Sequence, residues 1–325
     1  MPKTPTLTIG IPTYNNSAFL KKTLASVSRM LSSGVECVVS DNASTDGTQK
    51  IAREFCKKNR RIHYYRNATN EGMWANFDWV VKRSQTEYVL FLSDDDSLKP
   101  EGVRRVLQIL RGNPGIPLVR MNVRSKDYER FITGLGGDSI MDLREFVRLD
   151  PYTTGGITGL VVNRTAWLGT ECRTHHEFTI IEKCLRMAGR QKKGVYVLDE
   201  PFIYIYDPPG GRRWAAEPLK TFRLVYVLQP NVLLDLVREG RLEKSDLNRH
   251  FGIITPQMHL YLVNMLGRGS FIDKATAKDL VRTYGNRPLF WILCPMHAPL
   301  LVLPRQIRKK AVEGLRKAYS RFLKK

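Results

Sequence analysis

The amino-acid sequence predicts an α/β fold, with a mostly parallel sheet, helices on both of its faces, and a helical C-terminal region. First, short β-branched apolar segments alternate with segments of helical periodicity through the first half of the chain. Second, residues 88–92 are an unbroken apolar run, as expected of a strand that is covered on both faces. Third, the pattern is mainly helical from about residue 218 onward.

The first predicted strand is apolar and rich in β-branched residues. Pro12 is expected to stop the first strand, because proline has no N–H to donate to a neighbouring strand. The predicted strands are residues 6–11, 35–39, 62–65, 88–92, 160–163, 195–198 and 202–206.

The predicted helices have apolar residues at helical spacing and N-terminal signals of their own. Asn16 or Ser17 is expected to cap the first helix, and Ser44 or Thr45 the second. The remaining helices predicted before residue 218 are residues 73–83, a helix that Pro100 opens, and residues 178–188.

Composition limits the compartment and the partners. The 325-residue chain has a formal net charge of +21, and a basic surface attracts the phosphate of nucleic acid, anionic lipid or nucleotide-sugars. The five cysteines are odd in number and form no Cys-x-x-Cys pair, which favours a reducing compartment over a disulfide framework or zinc ribbon. No signal peptide is visible, so we expect a protein that faces the cytosol.

Polar clusters follow three of the predicted strands. They are residues 12–15, residues 40–42 and residues 93–96. Ligands of open α/β sheets bind outside the carboxyl ends of the strands. The sequence therefore predicts that the three clusters meet at one site.

Asp94, Asp95 and Asp96 follow the buried strand at 88–92. Adjacent carboxylates raise one another's pKa unless a cation neutralises them, and oxygen-only ligands suit Mg²⁺ or Mn²⁺ held together with substrate phosphates. The alternative is an acidic turn that caps a helix. The residues alone leave both interpretations open.

Asp41 follows the second predicted strand in the same way. Its carboxylate is a candidate to accept a hydrogen bond from a base N–H or a ribose hydroxyl. The surrounding segment, residues 40–48, is rich in side chains that cap helices and form turns. A loop that satisfies its own backbone is therefore the alternative.

Four motifs, in order over about the first 100 residues, resemble those of family-2 glycosyltransferases. The motifs are Ile11-Pro12-Thr13-Tyr14-Asn15, Asp41-Asn42-Ala43-Ser44-Thr45-Asp46-Gly47-Thr48, Asn70-Glu71-Gly72 with Asn76, and Phe91-Leu92-Ser93-Asp94-Asp95-Asp96 with Pro100. The resemblance implies a GT-A fold, a nucleotide-diphospho-sugar donor, a divalent metal (Mn²⁺ or Mg²⁺) and inversion at the anomeric carbon. It also implies an acceptor that is a glycan or a polyprenyl-linked sugar.

The resemblance implies roles for single residues. Asp95 is the principal metal ligand, Asp94 contacts the ribose or the metal, and Asp96 completes the candidate metal set. Ser93 stands where many members have the first aspartate, so the carboxylates are shifted by one residue. The remaining candidates for donor binding are Pro12, Thr13, Tyr14, Asn15, Asp41, Asn70, Asn76 and Arg213.

The resemblance also divides the chain and implies a catalytic base. Residues 1–115 are the nucleotide-sugar-binding half of a GT-A domain, 116–217 its acceptor-binding half, and 218–325 a helical region. The family's acidic base precedes a helix with a Leu-Arg-like pair, which Leu185 and Arg186 fit, but Ile180 occupies the expected position. Glu177 is the first candidate and His176 the second, while Glu182 is expected on an exposed helical face. The segment at 154–156 is placed on the acceptor side.

The last segment carries a signal for membrane binding. Residues 289–303 are almost entirely apolar, but they are shorter than the roughly 20 residues that a spanning helix needs. Nine basic residues and one acid, Glu313, lie between residues 305 and 325, with apolar residues at helical spacing. We expect an interfacial anchor on an anionic membrane, peripheral to its inner face; a packed helix with a basic face is the alternative.

Other classes of protein fit less well. The chain has no zinc-finger spacing and no RNP-like run, so nucleic acid is not an expected partner. It has no P-loop, and no Gly-rich, Arg-containing loop after the first strand, which a nucleotidyltransferase would need. A non-catalytic glycan- or nucleotide-sugar-binding protein on the same fold remains an alternative.

Overall fold

A computed structural model describes residues 6–126, 129, 132, 135–149, 157–172, 179–192, 194–206, 222, 224–267 and 274–284. The chain divides into two compact units, residues 1–207 and residues 208–325. The first unit contains the sheet and the candidate site.

The first unit alternates strands and helices through α4. Its strands are β1 (Leu7–Thr13), β2 (Val35–Asp41), β3 (Ile62–Arg66), β4 (Tyr88–Phe91), β5 (Ser97–Leu98), β6 (Leu118–Arg124), β7 (Ser139–Met141), β8 (Leu160–Asn163) and β9 (Val195–Tyr204). Its helices are α1 (Ser17–Val27), α2 (Thr48–Lys58), α3 (Met73–Arg83), α4 (Pro100–Gly112), α5 (Leu143–Leu149), α6 (Arg164–Leu168) and α7 (Thr179–Ala188).

The described strands form one sheet in the order β3-β2-β1-β4-β8-β6-β9-β5, with β7 paired to β9. Strands β3, β2, β1 and β4 are parallel. Strand β8 lies antiparallel between β4 and β6, which makes the sheet mixed rather than mostly parallel. The α/β class is confirmed, and the parallel half is the part whose carboxyl ends carry the polar clusters.

Two strand predictions are corrected. Strand β1 continues through Pro12 to Thr13. The pairing of β1 with β4 ends at Gly10. Pro12, which has no N–H, therefore interrupts no hydrogen bond between these two strands. The two short strands predicted at 195–198 and 202–206 are one strand, β9. The register of the β6–β9 pairing shifts between Met121 and Val123 of β6, and beyond this irregularity β9 remains paired to β6.

Helix α3 packs directly on β1 because residue 10 is glycine. A Cβ at Gly10 would lie 2.2 Å from Cγ1 of Val80 and 3.2 Å from Cγ1 of Val89. Both valines are fully buried, so neither side chain has free space into which it could move. The absent side chain thus sets the distance between the helix and the strand that carry Asn76 and Thr13.

We expect Gly10→Ala to lower the free energy of unfolding by about 1–3 kcal/mol, the usual cost of overpacking a core. Gly112→Ala is the matched control, because no described atom outside its own stretch of helix lies within 4 Å of the added Cβ, and it should be neutral or slightly stabilising. Urea unfolding of both variants measures the difference. Equal stabilities would mean that α3 moves away from β1 at little cost.

The described part of the second unit is helical, as predicted. A π-helical turn (Leu224–Leu228) leads into α8 (Gln229–Arg238), α9 (Lys244–Gly267) and α10 (Lys274–Tyr284). The Tyr284 hydroxyl donates to the carbonyl of Tyr226 at 2.7 Å. His250 of α9 is 3% exposed, and within the described residues neither ring nitrogen has a hydrogen-bond partner. No helix in the described ranges is long and apolar enough to cross a membrane.

Candidate active site

The carboxyl ends of β1, β2 and β4 bring the three polar clusters together. Asn42 N–H donates to the Thr13 carbonyl at 3.0 Å, which joins the ends of β2 and β1. The Thr13 hydroxyl donates to Oδ2 of Asp94 at 2.5 Å, and Nδ2 of Asn16 donates to Oδ1 of the same carboxylate at 2.8 Å. The predicted meeting of the clusters is therefore present in the structure.

The loops after β1 and β2 hold each other in an unusual backbone conformation. Asn15 has φ +50° and Ala43 has φ +62°. Residues other than glycine rarely adopt this left-handed backbone conformation, although asparagine does so more readily than alanine. Asn15 N–H donates to the Ser44 hydroxyl at 2.9 Å, and Thr45 N–H donates to Oδ1 of Asn15 at 2.7 Å. These reciprocal bonds hold the two strained residues in place.

Asn16 lies at the N-cap position of α1, as predicted, although its side chain bonds to Asp94 rather than to the helix, and the cap of α2 differs from the one predicted. Helix α2 begins at Thr48, and Asp46 rather than Ser44 or Thr45 accepts from its first N–H, at 3.0 Å. Asp46 also accepts from Ser17 N–H at 2.9 Å, at the start of α1. Burial opposes the charge, but hydrogen bonds from Thr48 and Ser17 lower the pKa of Asp46 to about 2. Ser44 and Thr45 bond to the facing loop instead.

Asp41 is fully buried and accepts hydrogen bonds from three protein groups. Its Oδ1 accepts from Ser44 N–H at 2.8 Å, and its Oδ2 from the Tyr64 hydroxyl at 2.6 Å and Nη1 of Arg66 at 3.0 Å. Burial, with the bond to Asp41, raises the pKa of Tyr64. The observed role of Asp41 is to fix the loop after β2, and its contact with a nucleobase stays a prediction.

Asn76 and Asn70 also bond within the protein. Asn76 is 3% exposed, and its amide donates to the Ser40 carbonyl at 2.9 Å and accepts from the Ser40 hydroxyl at 2.6 Å. Oδ1 of Asn70 accepts from Gly72 N–H at 2.9 Å, and Gly72, with φ +87°, is the N-cap residue directly before α3. Both residues shape the site's wall, and their contact with a donor stays a prediction.

Asn42 is the residue at the centre of this network, and the sequence did not single it out. Its Nδ2 donates to Oδ1 of Asn70 at 2.7 Å, and its Oδ1 accepts from Asn67 Nδ2 at 2.9 Å and Glu71 N–H at 3.0 Å. Arg83 reaches the same region by donating to Oδ1 of Asn67 at 2.7 Å. The position of Asn42 beside Asp41 in the second motif was the available signal.

The three consecutive aspartates have different environments. Asp96 is 4% exposed, its Oδ2 accepts from the Thr158 hydroxyl at 2.7 Å, and its Oδ1 accepts from Tyr206 N–H at 3.1 Å. Asp94 and Asp95 are half-buried. Asp96 is therefore placed to hold the loop, whereas Asp94 and Asp95 are placed at its accessible side.

The donor set fits a hard cation that substrate phosphates help to bind. No cluster of three His, Cys, Asp or Glu side chains arranged for a metal occurs in the described part of the chain. Mg²⁺ sites commonly use only one or two carboxylates, with phosphate oxygens and water completing the shell. Asp94 and Asp95 could supply those carboxylates.

Tyr14 and Pro12 form the outer part of the site at the end of β1. The Tyr14 side chain is 42% exposed, and Pro12 is half-buried. An accessible aromatic ring beside buried polar loops can stack on a flat ring of a ligand. The predicted base-binding residues thus lie at the same edge of the sheet as Asp94.

The second half of the unit is described only in part. Glu177, His176, Arg213 and residues 154–156 lie outside the described residues. Glu182, expected on an exposed face of α7, is instead fully buried, and Nε of Arg186 donates to its Oε1 at 2.7 Å. The buried ion pair spans one helical turn, and its formation explains why a glutamate is found inside the protein.

The structure is an α/β domain with a polar site at the carboxyl edge of its parallel strands, and known proteins of similar sequence and fold narrow its class. Residues 8–159 match the family model described as Glycosyl transferase family 2. Residues 8–159, a little under half of the chain, are therefore similar to glycosyltransferase family 2.

Curated relatives match over the same region. One is the Campylobacter jejuni GalNAc(5)-diNAcBac-PP-undecaprenol beta-1,3-glucosyltransferase, 30% identical over 32% of this chain and 34% of the relative. Another is the Salmonella typhimurium abequosyltransferase RfbV, 33% identical over 29% of each chain. The match spans about a third of the length of these relatives.

Solved structures support the GT-A fold over most of the chain. The crystal structure of S. aureus TarS 1-349 has a TM-score of 0.59 and 15% identity, and covers 97% of this chain and 91% of that one. The mannosyltransferase PcManGT from Pyrobaculum calidifontis, in complex with GDP-Man and Mn²⁺, has a TM-score of 0.56 and 14% identity. It covers 97% of this chain and 88% of its own.

Proposed function

We propose that this chain is an inverting glycosyltransferase that moves a sugar from a nucleotide-diphospho-sugar to a hydroxyl of a glycan or lipid-linked acceptor, in bacterial surface polysaccharide synthesis. The observation that carries the proposal is the hydrogen bond between Thr13 and Asp94, which joins the ends of β1 and β4 at the carboxyl edge of the parallel strands, where Asp95 and the exposed Tyr14 follow in the chain. Ligands of open α/β sheets bind at this edge. The relatives named above, which are glucosyl- and abequosyltransferases, agree with this class of reaction.

The chemistry requires charge stabilisation and a base. The acceptor oxygen attacks the anomeric carbon while the bond to the diphosphate breaks, and the nucleoside diphosphate leaves with the bonding electrons. A bound Mg²⁺ or Mn²⁺ supplies Lewis-acid stabilisation of the leaving diphosphate. Asp94 and Asp95 would hold it, and Thr13 and Asn16 fix the Asp94 carboxylate through their hydrogen bonds.

Glu177 is the first candidate to take the proton of the acceptor hydroxyl, and His176 is the second. A general base acts in the transition state and contributes typically about 10²–10⁴-fold to the rate. Glu177→Gln should therefore lower kcat with little change in donor affinity. Full turnover in that variant would move the role to His176 or to another residue.

The function is tested by incubating the chain with a panel of nucleotide-diphospho-sugars and Mn²⁺, following both thermal stability and release of nucleoside diphosphate. A donor present at about a hundred times its Kd adds about 2.7 kcal/mol of stability. We expect one donor to stabilise the protein and to be slowly hydrolysed. Stabilisation without hydrolysis or transfer would favour a binding protein, and release of pyrophosphate from a nucleoside triphosphate would favour a nucleotidyltransferase.

We further propose that the last segment holds the enzyme on the inner face of the cell membrane. A polyprenyl-linked acceptor stays in the bilayer, and the C. jejuni relative carries PP-undecaprenol in its name. Residues 289–303 supply an apolar segment, and nine basic residues against one acid follow over residues 305–325. Each basic residue near an anionic surface contributes about 1 kcal/mol, and salt weakens this attraction.

Deleting residues 288–325 should release the protein from anionic liposomes. Donor hydrolysis should be largely retained, because the donor-site motifs all precede Pro100. Co-sedimentation at low and high salt measures the binding. Full-length protein that stays in the supernatant at low salt would contradict the proposal and would favour a packed helix with a basic face.

A further inference from the structure

A cavity of about 550 Å³ lies at the side of the sheet, between α2 and β3. Its volume falls within the roughly 300–1,000 Å³ of sites for small ligands. Its lining includes Arg53, Lys57, Ile62, His63, Tyr64 and Tyr65. Lys57 lies in the last turn of α2, and Ile62 begins β3. The cavity therefore extends towards the amino ends of the strands, away from the carboxyl edge that carries Asp94.

The strand side of this cavity is held by contacts within the protein. The Tyr64 hydroxyl donates to Oδ2 of the buried Asp41 at 2.6 Å. The Arg83 guanidinium carbon lies 5.4 Å from the centroid of the exposed Tyr65 ring, a cation–π contact that restrains this ring. Both rings are thus ordered without a ligand, which lowers the entropy lost when one binds.

The cationic groups of the cavity come from both elements. Arg53 and Lys57 lie four residues apart on α2, so they share one face of the helix, and both are exposed. Two like charges at this spacing repel each other, and a bound anion would offset that repulsion. His63 of β3 adds an imidazole, whose Nε2 lies 3.4 Å from Oε2 of Glu36.

The charge around the cavity is one-sided. Residues 50–66 contain seven Lys or Arg residues and one acid, Glu54. Of the seven, Arg66 forms an ion pair with Asp41. The other six have no ion pair with any residue that the structure describes. A patch of this kind raises the local concentration of anions.

Strand β3 lies at the end of the sheet. Among the described strands, it pairs with β2 alone. Every second main-chain N–H of such an edge strand points away from its neighbour. A second copy of the chain that paired along β3 would bring two basic segments together, which their charge opposes. The charge of this edge therefore fits an anionic ligand.

We propose that this cavity is a phosphate-binding site, separate from the site proposed for the donor. The guanidinium group of Arg53 offers a planar fork of donors, and the ammonium group of Lys57 a compact charge. A phosphomonoester has three terminal oxygens and can therefore accept from both groups and from His63 at once, whereas a carboxylate has two. The phosphate belongs either to a soluble phosphomonoester or to a lipid headgroup, and both present the same chemistry.

The test is a titration of inorganic phosphate into the full chain, with EDTA present and ionic strength constant, followed through the NMR signals of the His63 ring. His63→Gln identifies these signals among those of the six histidines. We expect a saturable shift in the wild type. The double variant Arg53→Gln/Lys57→Gln should weaken the affinity about tenfold or more, as expected when a charge-assisted hydrogen bond is lost.

Lys99→Gln/Arg111→Gln is the matched control, because it also removes one exposed lysine and one exposed arginine, here at the two ends of α4. It should bind phosphate as the wild type does. No saturable shift in the wild type, or equal affinity in Arg53→Gln/Lys57→Gln and the wild type, would overturn the site.

Vesicles separate the two sources of the phosphate. The proteins are co-sedimented with phosphatidylcholine vesicles that contain or lack phosphatidic acid. Residues 289–325 are present in every variant, so a difference between the two double variants reports on the cavity. Weaker binding of Arg53→Gln/Lys57→Gln to the phosphatidic-acid vesicles assigns a lipid headgroup. Equal binding of the two double variants to vesicles, with phosphate affinity lost from Arg53→Gln/Lys57→Gln alone, assigns a soluble phosphomonoester.

Donor hydrolysis in the same proteins distinguishes this site from the proposed function. None of the lining residues named above belongs to the donor-site motifs, so Arg53→Gln/Lys57→Gln should hydrolyse a nucleotide-sugar at the wild-type rate. A loss of hydrolysis would place these residues in the donor site and overturn a separate one. Phosphate binding by a wild-type chain that hydrolyses no nucleotide-sugar would support the cavity site and contradict the proposed function.

Discussion

Replacing Asp95 by Asn should lower sugar transfer by about a hundredfold or more, while the fold and its stability stay close to those of the wild type. The amide keeps the size of the side chain but removes the charge that would attract a divalent cation. Metal stabilisation of a leaving group is worth several kcal/mol, and about 2.7 kcal/mol corresponds to a hundredfold change in rate. Transfer and donor hydrolysis, measured over a range of Mn²⁺ and Mg²⁺ concentrations, give the size of the effect.

Glu54→Gln is the matched control for this variant, because Glu54 is an exposed acid on α2. It removes the same charge and should leave the rate unchanged. The decisive comparison is made with and without a chelator. An Asp95→Asn enzyme that retains wild-type activity under strict chelation would exclude a metal-dependent role for this residue.

The elements that could be predicted from sequence are those in which local signals and burial agree. Helix α3 has the predicted bounds, and strand β8 matches the predicted residues 160–163. The meeting of Thr13 with Asp94 followed from one rule about the carboxyl edges of parallel strands. These features depend on periodicity and on strand direction, both of which are visible in a single chain.

The remaining features depend on contacts between segments far apart in sequence. The burial of Glu182 follows from packing of α7 in the core, which its local pattern could not show. Asp96 looks like its two neighbours in sequence, and its hydrogen bonds to Thr158 and Tyr206 distinguish it. Strand β6 was not predicted, because its polar residues Arg120 and Asn122 interrupt the apolar pattern although both are fully buried.

Acidification should destabilise the second unit through His250. Burial lowers the pKa of His250 from 6.5 to about 4, so the folded state disfavours the charged ring. Between these two values the unfolded state binds the extra proton, and stability therefore falls as the pH falls from 6.5 to about 4. The difference amounts to roughly 3 kcal/mol, and below pH 4 this group contributes no further loss.

Hydrogen exchange of the α9 amides, at pH values above, within and below this window, reports the second unit by itself. His250→Leu should flatten the pH dependence and leave stability at neutral pH equal or higher, because it also removes two buried ring nitrogens that have no hydrogen-bond partner among the described residues. His63→Gln, at a partly exposed histidine of β3, should leave the slope in place. A slope that survives in His250→Leu would assign the acid sensitivity to other groups.

The left-handed conformation of Ala43 has a consequence for how mutations in this region combine. The left-handed conformation of Ala43 costs about 1–2 kcal/mol of backbone strain. Glycine avoids this strain, and its greater freedom in the unfolded chain costs only about 0.5–1 kcal/mol relative to alanine. Ala43→Gly should thus be neutral to mildly stabilising. Asn42→Ala, which removes bonds to Asn70 and Asn67, should be destabilising by itself.

The two changes should not add. In Asn42→Ala, the loop at Ala43 can relax, and the strain that it releases offsets part of the stability lost with the hydrogen bonds of Asn42. When residue 43 is already glycine, there is no such strain to release, so Asn42→Ala should cost more. A double-mutant cycle should therefore give a coupling energy within the roughly 0.5–3 kcal/mol known for residues in contact. A coupling energy different from zero would show that the conformation of Ala43 and the hydrogen bonds of Asn42 stabilise the protein together. Residues at this edge of the sheet could then not be exchanged independently.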